Sequence, residues 1–340
     1  MVTQSIKLGG TASDVVVARV AHGLMAMTLN SPPVPDETCF EAIKAGVDAL
    51  PPGVKAFLNA ADFYAPDSGT ANLEMLSRFF NKYPEYADKI FLSVKGGMTV
   101  NLQPDGSYEY LKKSVDRSIK ALGPLKKIDL FQPARIDVKV GIEKIMETLV
   151  GFVKEGKFDH IGLSECTAST LRKAYSIYPI SIAEIEVSPF EYGEEQKNVI
   201  ATAAELNISV AAYSPLGHGF LTGQIKSPDD LPQGDWRINM TRFKEEHFRN
   251  NMALVDDLVQ IAQKKGISPA QLCIAWVCTT GPSVIPLPGS SKTSRTLENL
   301  MAGDVVLTDE ELKAANEAIG KHQITGDRYF GEDIDLHLWH

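Results

Sequence analysis

Short apolar runs alternate with longer runs of helical period along most of the chain. The short runs are rich in Val, Ile, Leu, Phe and Ala and end at glycine or polar residues, which predicts buried strands. The longer runs repeat apolar residues at helical spacing, which predicts amphipathic helices. The predicted strands are 17–27, 54–60, 89–97, 127–133, 160–164, 181–190, 208–217 and 283–291.

This alternation predicts an α/β fold with a parallel sheet, and eight units of this length fit a closed (β/α)8 barrel, the TIM barrel. An N-terminal β-hairpin is predicted over 5–18, where two alternating runs flank a Gly-Gly pair. A doubly wound open sheet is the alternative, but it would require a G-x-G-x-x-G turn, which the sequence lacks. We expect one domain over 1–340, with a loop insertion at 223–247 and a tail at 326–340 near the barrel mouth.

Capping residues predict several helix boundaries. Asp36 is expected to cap the first long helix, and Ser268 followed by Pro269 is expected to begin another. Gly123, which precedes a proline, is expected to end a third helix. The helix that follows the insertion is expected over 254–266.

Composition narrows the functional classes. A net charge of −9 and a pI near 5.4 argue against a surface for nucleic acid or anionic membrane. The sequence shows no apolar run long enough to span a bilayer and no signal-peptide pattern at its start. The four cysteines lack metal-ligand spacing and are interpreted as reduced core thiols. We therefore expect a cytoplasmic protein without a metal site that acts on a small molecule, while its oligomeric state is left open.

Tyr64 and Lys95 form the sharpest candidate pair. Both follow predicted strands, and the strand ends of a barrel meet at one mouth. A phenol has an unperturbed pKa of about 10, and a neighbouring ammonium lowers that pKa. Such a tyrosine can give a proton to a carbonyl oxygen. A packed tyrosine and a surface lysine are the alternative, but Lys95 directly follows strand residues rather than lying on an exposed helix.

A second motif follows the last predicted strand. Small residues from Gly289 to Ser291 lead into a helix that carries Lys292 and Arg295. Free backbone N–H groups at a helix start and nearby cations suit a phosphate group. An ordinary capped helix explains the segment equally well.

Five segments resemble the aldo-keto reductase family: GLMAM at 23–27, NAADFY at 59–64, SVKGG at 93–97, YSPLGHGFLTG at 213–223 and IPLPGSSKTSRTLENL at 285–300. The resemblance covers essentially the whole chain. It implies a (β/α)8 barrel that binds NADPH across its C-terminal mouth without a separate dinucleotide-binding domain. That agrees with the missing glycine fingerprint.

By this resemblance Tyr64 is the catalytic tyrosine and Lys95 is its lysine. Tyr213 would stack on the nicotinamide, and Lys292 with Arg295 would hold the 2′-phosphate, which favours NADP over NAD. The residues that the resemblance assigns to the cofactor are Gly23, Leu24, Met25, Ser164, Glu165, Glu184, Tyr213, Ser214, Pro215, Leu216, Gly217, Gly289, Ser290, Lys292, Arg295, Glu298 and Asn299.

Two positions depart from the family pattern. Asn59 stands where the family has an aspartate, and Ala134 stands where it has a histidine. Asn59, the third candidate catalytic residue, is expected to accept a hydrogen bond from Lys95 but brings no charge. Ala134 can neither orient a carbonyl group nor donate a proton.

Three segments, LNAADFYAP, DLFQPARID and the GDRY of the tail, resemble the fungal pyridoxal reductase branch of the family. This likeness implies reduction of an aldehyde, pyridoxal, to pyridoxine, with Ala134 leaving room for the substrate and Arg135 and Asp137 as candidate contacts. Three alternatives are open. They are a reductase of another aromatic aldehyde or ketone, an NADPH-binding regulatory subunit with little turnover, and a barrel isomerase or aldolase that uses Lys95 as a Schiff base.

Overall fold

The computed structural model describes residues 2–330 and 338–340, so 331–337 of the predicted tail lie outside the described residues. The strands are β1 (Ser5–Lys7), β2 (Val16–Ala18), β3 (His22–Gly23), β4 (Ala56–Ala61), β5 (Ile90–Gly96), β6 (Ile128–Pro133), β7 (Phe158–Ser164), β8 (Ile182–Glu186), β9 (Ser209–Tyr213) and β10 (Val284–Leu287). The α-helices are α1 (Met25–Thr28), α2 (Asp36–Asp48), α3 (Ala71–Lys82), α4 (Tyr108–Leu122), α5 (Ile142–Lys154), α6 (Ala168–Ile177), α7 (Glu194–Glu205), α8 (Glu245–Lys265), α9 (Pro269–Cys278), α10 (Thr293–Met301) and α11 (Asp309–Lys321).

Strands β3 to β10 form one eight-stranded sheet in sequence order, and each strand is parallel to its neighbours. The two edges of this sheet meet, because Ala21 N donates to Pro286 O at 2.8 Å and Gly23 N donates to Pro288 O at 2.9 Å. The predicted (β/α)8 barrel is therefore confirmed. The predicted hairpin is also confirmed, since β1 pairs with β2 in antiparallel register.

Alternate residues of a barrel strand point inward, so the interior is built in layers. The lowest layer is an apolar cluster to which six strands contribute Phe57, Phe91, Leu130, Ile182, Ala211 and Ile285. Two residues further along five of these strands stand the polar side chains of Asn59, Ser93, Gln132, Glu184 and Tyr213. The change from apolar to polar inward positions places the candidate chemistry in the upper half of the barrel.

The hairpin closes the lower end of the barrel. Leu8, Ala12 and Val17 are buried in the same cluster as Phe57 and Phe91. Burial of apolar surface on both sides of this contact stabilises the closed lower end. The mouth at the other end is therefore where polar groups can meet a ligand.

Two predicted boundaries near the N-terminus are wrong. Within the strand predicted over 17–27, residues 17–18 belong to the hairpin, where Val17 also bridges Lys55, and His22–Gly23 form the barrel strand β3. The chain then turns into α1, and Asn72 Nδ2 donates to the carbonyl of Leu24 at 3.1 Å. Asp36 is the first residue of α2 and not its cap. Its carboxylate instead accepts from the Arg78 guanidinium on α3, at 2.5 and 2.9 Å.

Another boundary error concerns the insertion. Helix α8 begins at Glu245, inside the segment predicted as a loop, because Phe248 and Asn251 extend its buried face toward the N-terminus. The other capping predictions are confirmed. Ser268 Oγ accepts from Gln271 N at 3.2 Å, and Gly123 ends α4 with φ of 78°.

Several features that would change the functional picture are absent from the described residues. Their helices include none that is long and apolar enough to cross a bilayer. They contain no group of three or more His, Cys, Asp or Glu side chains placed to hold a metal ion. The four cysteines are unpaired thiols, and burial raises the pKa of Cys166 and Cys273 to about 12.

Candidate active site

Lys95 on β5 is the centre of a buried polar network. It is 4% exposed, and its ammonium donates to Asn59 Oδ1 on β4, as predicted. The same Nζ lies 2.8 Å from Glu184 Oε1 on β8. Burial is the largest single influence on the pKa of Lys95 and lowers it, but Glu184 and Tyr64 together outweigh burial, so the net direction is upward. Lys95 is therefore held in its charged form.

The second oxygen of Glu184 completes the network. Glu184 Oε2 accepts from Asn59 Nδ2 at 2.6 Å and from Gln132 Nε2 at 2.5 Å. Gln132 also donates to Ser93 Oγ at 3.3 Å. Both oxygens of this carboxylate are thus occupied by groups of the chain itself.

Tyr64 lies in the loop after β4, and its ring faces Lys95. The Lys95 Nζ is 5.2 Å from the ring centroid. The loop is held in place because Thr28 Oγ1 donates to Tyr64 O at 2.6 Å and Asp62 pairs with Arg117 Nε at 2.7 Å. The structure therefore brings together the predicted catalytic residues Tyr64, Lys95 and Asn59.

The pKa of Tyr64 is raised, whereas the sequence predicted that the neighbouring Lys95 would lower it. Burial raises the pKa of Tyr64, and the charge of Lys95 lowers it. Glu184 raises the pKa again, while Arg135 lowers it. The net direction of the pKa is upward, because burial outweighs the effect of Lys95. The prediction considered Lys95 and did not include burial.

Ala134 and Arg135 follow β6 at the same mouth. Ala134 is buried, and its N–H donates to Gly96 O at 2.9 Å. The half-buried Arg135 donates from Nη1 to Ala134 O at 2.6 Å, and its guanidinium lies 5.9 Å from the ring centroid of Tyr329. Asp137, in contrast, accepts from the backbone N–H of Gly106 at 3.0 Å, which indicates a structural role.

The C-terminal tail supplies a second charged cluster, centred on Arg328. Its guanidinium, which is 7% exposed, donates to both oxygens of Glu165 at 2.9 and 3.0 Å and to Glu186 Oε2 at 2.9 Å. Burial alone would raise the pKa of Glu165, but Arg328 outweighs it and holds that pKa below its usual value. Arg328 thus compensates two carboxylates buried at the ends of β7 and β8.

The same cluster fixes Tyr213. Its hydroxyl accepts from Arg328 Nη2 at 2.9 Å and lies 2.8 Å from the hydroxyl of Tyr329. Burial and the charge of Glu165 raise the pKa of Tyr213 well above its usual value. The last residues of the chain also return to this place, because Trp339 N donates to Glu165 O at 3.0 Å. Residues of the tail are therefore built into the barrel mouth.

Ser164, the last residue of β7, carries a polar atom without a partner. The residue is 1% exposed, and its Oγ has no hydrogen-bond partner among the described residues. Buried hydroxyls are normally hydrogen-bonded, so this one is suited to an amide-bearing ligand. It fits the carboxamide that the family resemblance places here, whereas the carboxylates of Glu165 and Glu184 are already engaged.

The remaining predicted cofactor residues form the other side of the mouth. Gly23 bridges to Gly289, and Leu24 N donates to Asn59 O at 3.0 Å, with Met25 next in α1. The turn after β9 takes left-handed backbone at Ser214 and Gly217, with φ of 50° and 53°. Pro215 is buried and Leu216 is half-buried between them.

Lys292 and Arg295 are exposed at the start of α10. The two charged side chains face solvent, as a phosphate site needs. Ser290 is different, because its hydroxyl already contacts His22 Nε2 at 3.1 Å and Thr296 Oγ1 at 2.6 Å. Glu298 accepts from Ser268 Oγ at 2.6 Å and thereby joins α10 to α9, and Asn299 is buried beside it.

The model of the Aldo/keto reductase family matches residues 19–319 of the chain. This range contains the barrel, the Tyr64–Lys95 pair and the segment around Lys292. The chain belongs to the aldo/keto reductase family. The predicted family is thereby confirmed.

The relatives of this reductase agree with that assignment. It is 38% identical over 319 residues to "Probable pyridoxal reductase 2" of Schizosaccharomyces pombe, covering 92% of this chain and 95% of the relative. It is 38% identical over 284 residues to "Aldo-keto reductase yakc [NADP(+)]" of the same organism, covering 80% and 81%. The solved structure of a glycerol dehydrogenase from Gluconobacter oxydans superimposes with a TM-score of 0.80 at 25% identity, covering 95% and 97%.

The chain is therefore an NADP-dependent aldo-keto reductase, and the predicted enzyme class and cofactor are confirmed. Arg328, Glu186 and Gln132 belong to the mouth but were not predicted as site residues. The GDRY segment of the tail was the only signal for Arg328, and it marked a likeness rather than a contact.

Replacing Arg328 by Met should destabilise the reductase by about 3–5 kcal/mol, because it removes the cation that is hydrogen-bonded to the buried carboxylates of Glu165 and Glu186. The free energy of unfolding from urea titration measures this change. Arg172→Met is the matched control, since it breaks an exposed pair with Glu205 and should leave stability close to that of the parent.

The pH dependence gives the same prediction a second readout. The depressed pKa of Glu165 contributes stability above the unfolded-state pKa, and this is lost as pH falls through the folded-state pKa. Arg328→Met should remove this contribution on the acid side. A variant that is as stable as the parent at neutral pH would contradict the assigned role of Arg328.

Proposed function

We propose that this reductase converts pyridoxal to pyridoxine with NADPH, and that Tyr64 donates the proton. The observation that carries the proposal is the pairing of the half-buried Tyr64 with the buried Lys95 at the barrel mouth, where the small side chain of Ala134 also lies. The name of the S. pombe pyridoxal reductase, 38% identical over 92% of this chain, supports the substrate.

The chain's own residues would handle the proton. NADPH, when bound, supplies the hydride that reduces the carbonyl carbon. The carbonyl oxygen gains negative charge as this happens and takes the proton from the Tyr64 hydroxyl, which leaves an alcohol and a phenolate. The Lys95 ammonium stabilises the phenolate, and Asn59 helps to hold the ammonium in place.

Two neighbouring residues support an aromatic aldehyde as the substrate. Ala134, which is buried, stands where the family has a histidine, and its smaller side chain would leave room that an imidazole would occupy. Arg135, directly after it, has a guanidinium that only donates hydrogen bonds and suits the ring hydroxyl of pyridoxal. We assign substrate contact to this pair of residues.

We assign cofactor contacts by the chemistry of each group. Ser164 Oγ would bind the carboxamide, and Tyr213 would cover one face of the nicotinamide. Lys292 and Arg295 would hold the 2′-phosphate, which matches the NADP(+) in the name of the second relative. The turn at 214–217 would follow the pyrophosphate, and the remaining contacts would come from Gly23, Leu24, Met25, Gly289, Ser290, Glu298 and Asn299.

Tyr64→Phe should lower the rate of pyridoxal reduction by about a hundred- to ten-thousand-fold, because the proton donor is lost while the ring remains. The loss of NADPH absorbance with pyridoxal measures the rate, and fluorescence titration should show unchanged NADPH binding. Tyr86→Phe is the control, since Tyr86 pairs with Asp48 ahead of β5, at the opposite end of the barrel. Tight NADPH binding without consumption on any aldehyde or ketone would overturn the proposal in favour of a regulatory subunit.

Ala134→His tests the substrate. The imidazole would fill the space assigned to the pyridine ring, and overpacking of about 1–3 kcal/mol corresponds to a loss of roughly ten- to a hundredfold in kcat/KM for pyridoxal. A small aldehyde such as propanal should be reduced as fast as before. Ala134→Ser adds one atom and should leave the turnover of pyridoxal nearly unchanged. If Ala134→His reduced pyridoxal as fast as the parent enzyme, the proposal that Ala134 leaves room for the pyridine ring would be wrong.

Replacing both Lys292 and Arg295 by Met should weaken NADPH binding by about ten- to a hundredfold for each cation removed, since a hydrogen bond to a charged group contributes about 1.5–3 kcal/mol. Binding of NADH, which lacks the 2′-phosphate, should not change. Arg249→Met removes a cation that is 91% exposed on α8 and serves as control. Equal weakening for the two cofactors would place the phosphate elsewhere.

A further inference from the structure

The ion pair between Lys95 and Glu184 crosses the barrel. Strands β6 and β7 separate β5 from β8 in the sheet, so the two side chains meet through the interior rather than along neighbouring strands. Both are almost fully buried, at 4% and 2% exposure, and the Nζ–Oε1 distance is 2.8 Å. Glu184 therefore places a full negative charge at the lysine although position 59 carries none.

Asn59 makes that arrangement possible. Its Oδ1 accepts from Lys95, while its Nδ2 donates to Glu184 Oε2 at 2.6 Å. An aspartate at this position would replace the donor by a second carboxylate oxygen facing Glu184 at hydrogen-bond distance. Two buried carboxylates in such contact cannot both stay ionised without penalty. Asparagine at 59 and glutamate at 184 are thus matched to each other.

The charges around Lys95 come from several elements. Tyr64 approaches from the loop after β4, Glu184 from β8, and Arg135 from the segment after β6, while the Asn59 and Gln132 amides are neutral. Burial favours the neutral amine, and Glu184 is the carboxylate that opposes it. Without Glu184, the ammonium would have only neutral acceptors and a protonated phenol nearby.

We propose that Glu184 is the positioning residue that keeps Lys95 charged and aimed at Tyr64, and that the counter-charge which the family has at position 59 has moved across the barrel to position 184. This inference rests on the proposed role of Tyr64 as proton donor. Glu184 acts through Lys95 and does not contact the reacting carbonyl group.

A charge-exchange cycle tests the proposal with the full-length enzyme: Glu184→Gln, Asn59→Asp and the double variant. Glu184→Gln should lower kcat for pyridoxal at least tenfold. Asn59→Asp should also lower kcat, because it sets two carboxylates against each other. The double variant returns one carboxylate and one amide to the same contact, so its kcat should exceed that of either single variant.

The pH profile separates this role from a merely structural one. Removing the anion makes it easier for the Tyr64–Lys95 pair to lose a proton, so the alkaline limb of kcat should move to lower pH in Glu184→Gln and return in the double variant. Glu186→Gln is the matched control for this limb. It loses the same charge two residues along β8, where the carboxylate faces Arg328 and not Lys95.

A readout independent of turnover is the NMR titration of the Lys95 ammonium, with Lys95→Gln to assign the signal. The proton should be lost at lower pH in Glu184→Gln than in the parent and the double variant. An unchanged titration and alkaline limb in Glu184→Gln would overturn the proposal, as would a double variant no better than the poorer single one. If Tyr64→Phe abolishes turnover in that case, only the role of Glu184 fails. If Tyr64→Phe remains active, the proposed proton donor itself is wrong.

Discussion

Charges buried at the mouth of a closed barrel must be compensated inside it, because removing an ion from water costs far more than an isolated neutral neighbour can offset. The two buried charged clusters at this mouth bring together three cations and three carboxylates of the described residues. They are Lys95, Arg135, Arg328, Glu165, Glu184 and Glu186. The formal charges of these six side chains sum to zero, so the two clusters lie above the apolar layer without a net charge of their own. Within this set, the Glu184 carboxylate compensates the charge of Lys95, which stands beside the half-buried Tyr64.

Strand β8 joins the two charged clusters. Glu184 and Glu186 are two residues apart and therefore on the same face of the strand, directly above the apolar Ile182. The first binds Lys95, and the second binds Arg328 of the tail. The backbone adds a further link, since Glu165 N donates to Glu184 O at 3.0 Å. A change in the tail that displaces Glu186 would therefore act on the same strand that carries Glu184, two residues away.

The hydrophobic pattern and the capping residues predict those parts of the structure that depend on residues close together in the sequence. The strands and helices follow from apolar period and capping, and Tyr64 and Lys95 were recognisable because they lie at or shortly after the ends of predicted strands. The strand predicted over 17–27 was too long at its C-terminal end. The apolar residues after Gly23 belong to the one-turn helix α1, and hydrophobic period alone cannot distinguish so short a helix from a strand.

The sequence could not predict which buried charged and polar side chains would pair with each other. Asn59 and Glu184 are 125 residues apart, and Glu186 and Arg328 are 142 apart. Nothing in either segment says which of the many charged residues will meet. Asn59 alone therefore looked like a loss of charge, whereas the folded barrel brings a carboxylate oxygen of Glu184 to 2.8 Å from Lys95 Nζ.

The protonation of Tyr64 connects this charge balance with the direction of the chemistry. A reduction begins with the phenol protonated, whereas an oxidation begins with the phenolate. Burial raises the pKa of Tyr64 above its usual value, and the carboxylate of Glu184 adds to the rise although Lys95 and Arg135 oppose it. The phenol therefore keeps its proton at neutral pH. In the proposed reduction the Glu184 carboxylate would act in two ways: it would help to keep the Lys95 ammonium charged, and it would help to keep the proton on Tyr64 until the carbonyl oxygen takes it.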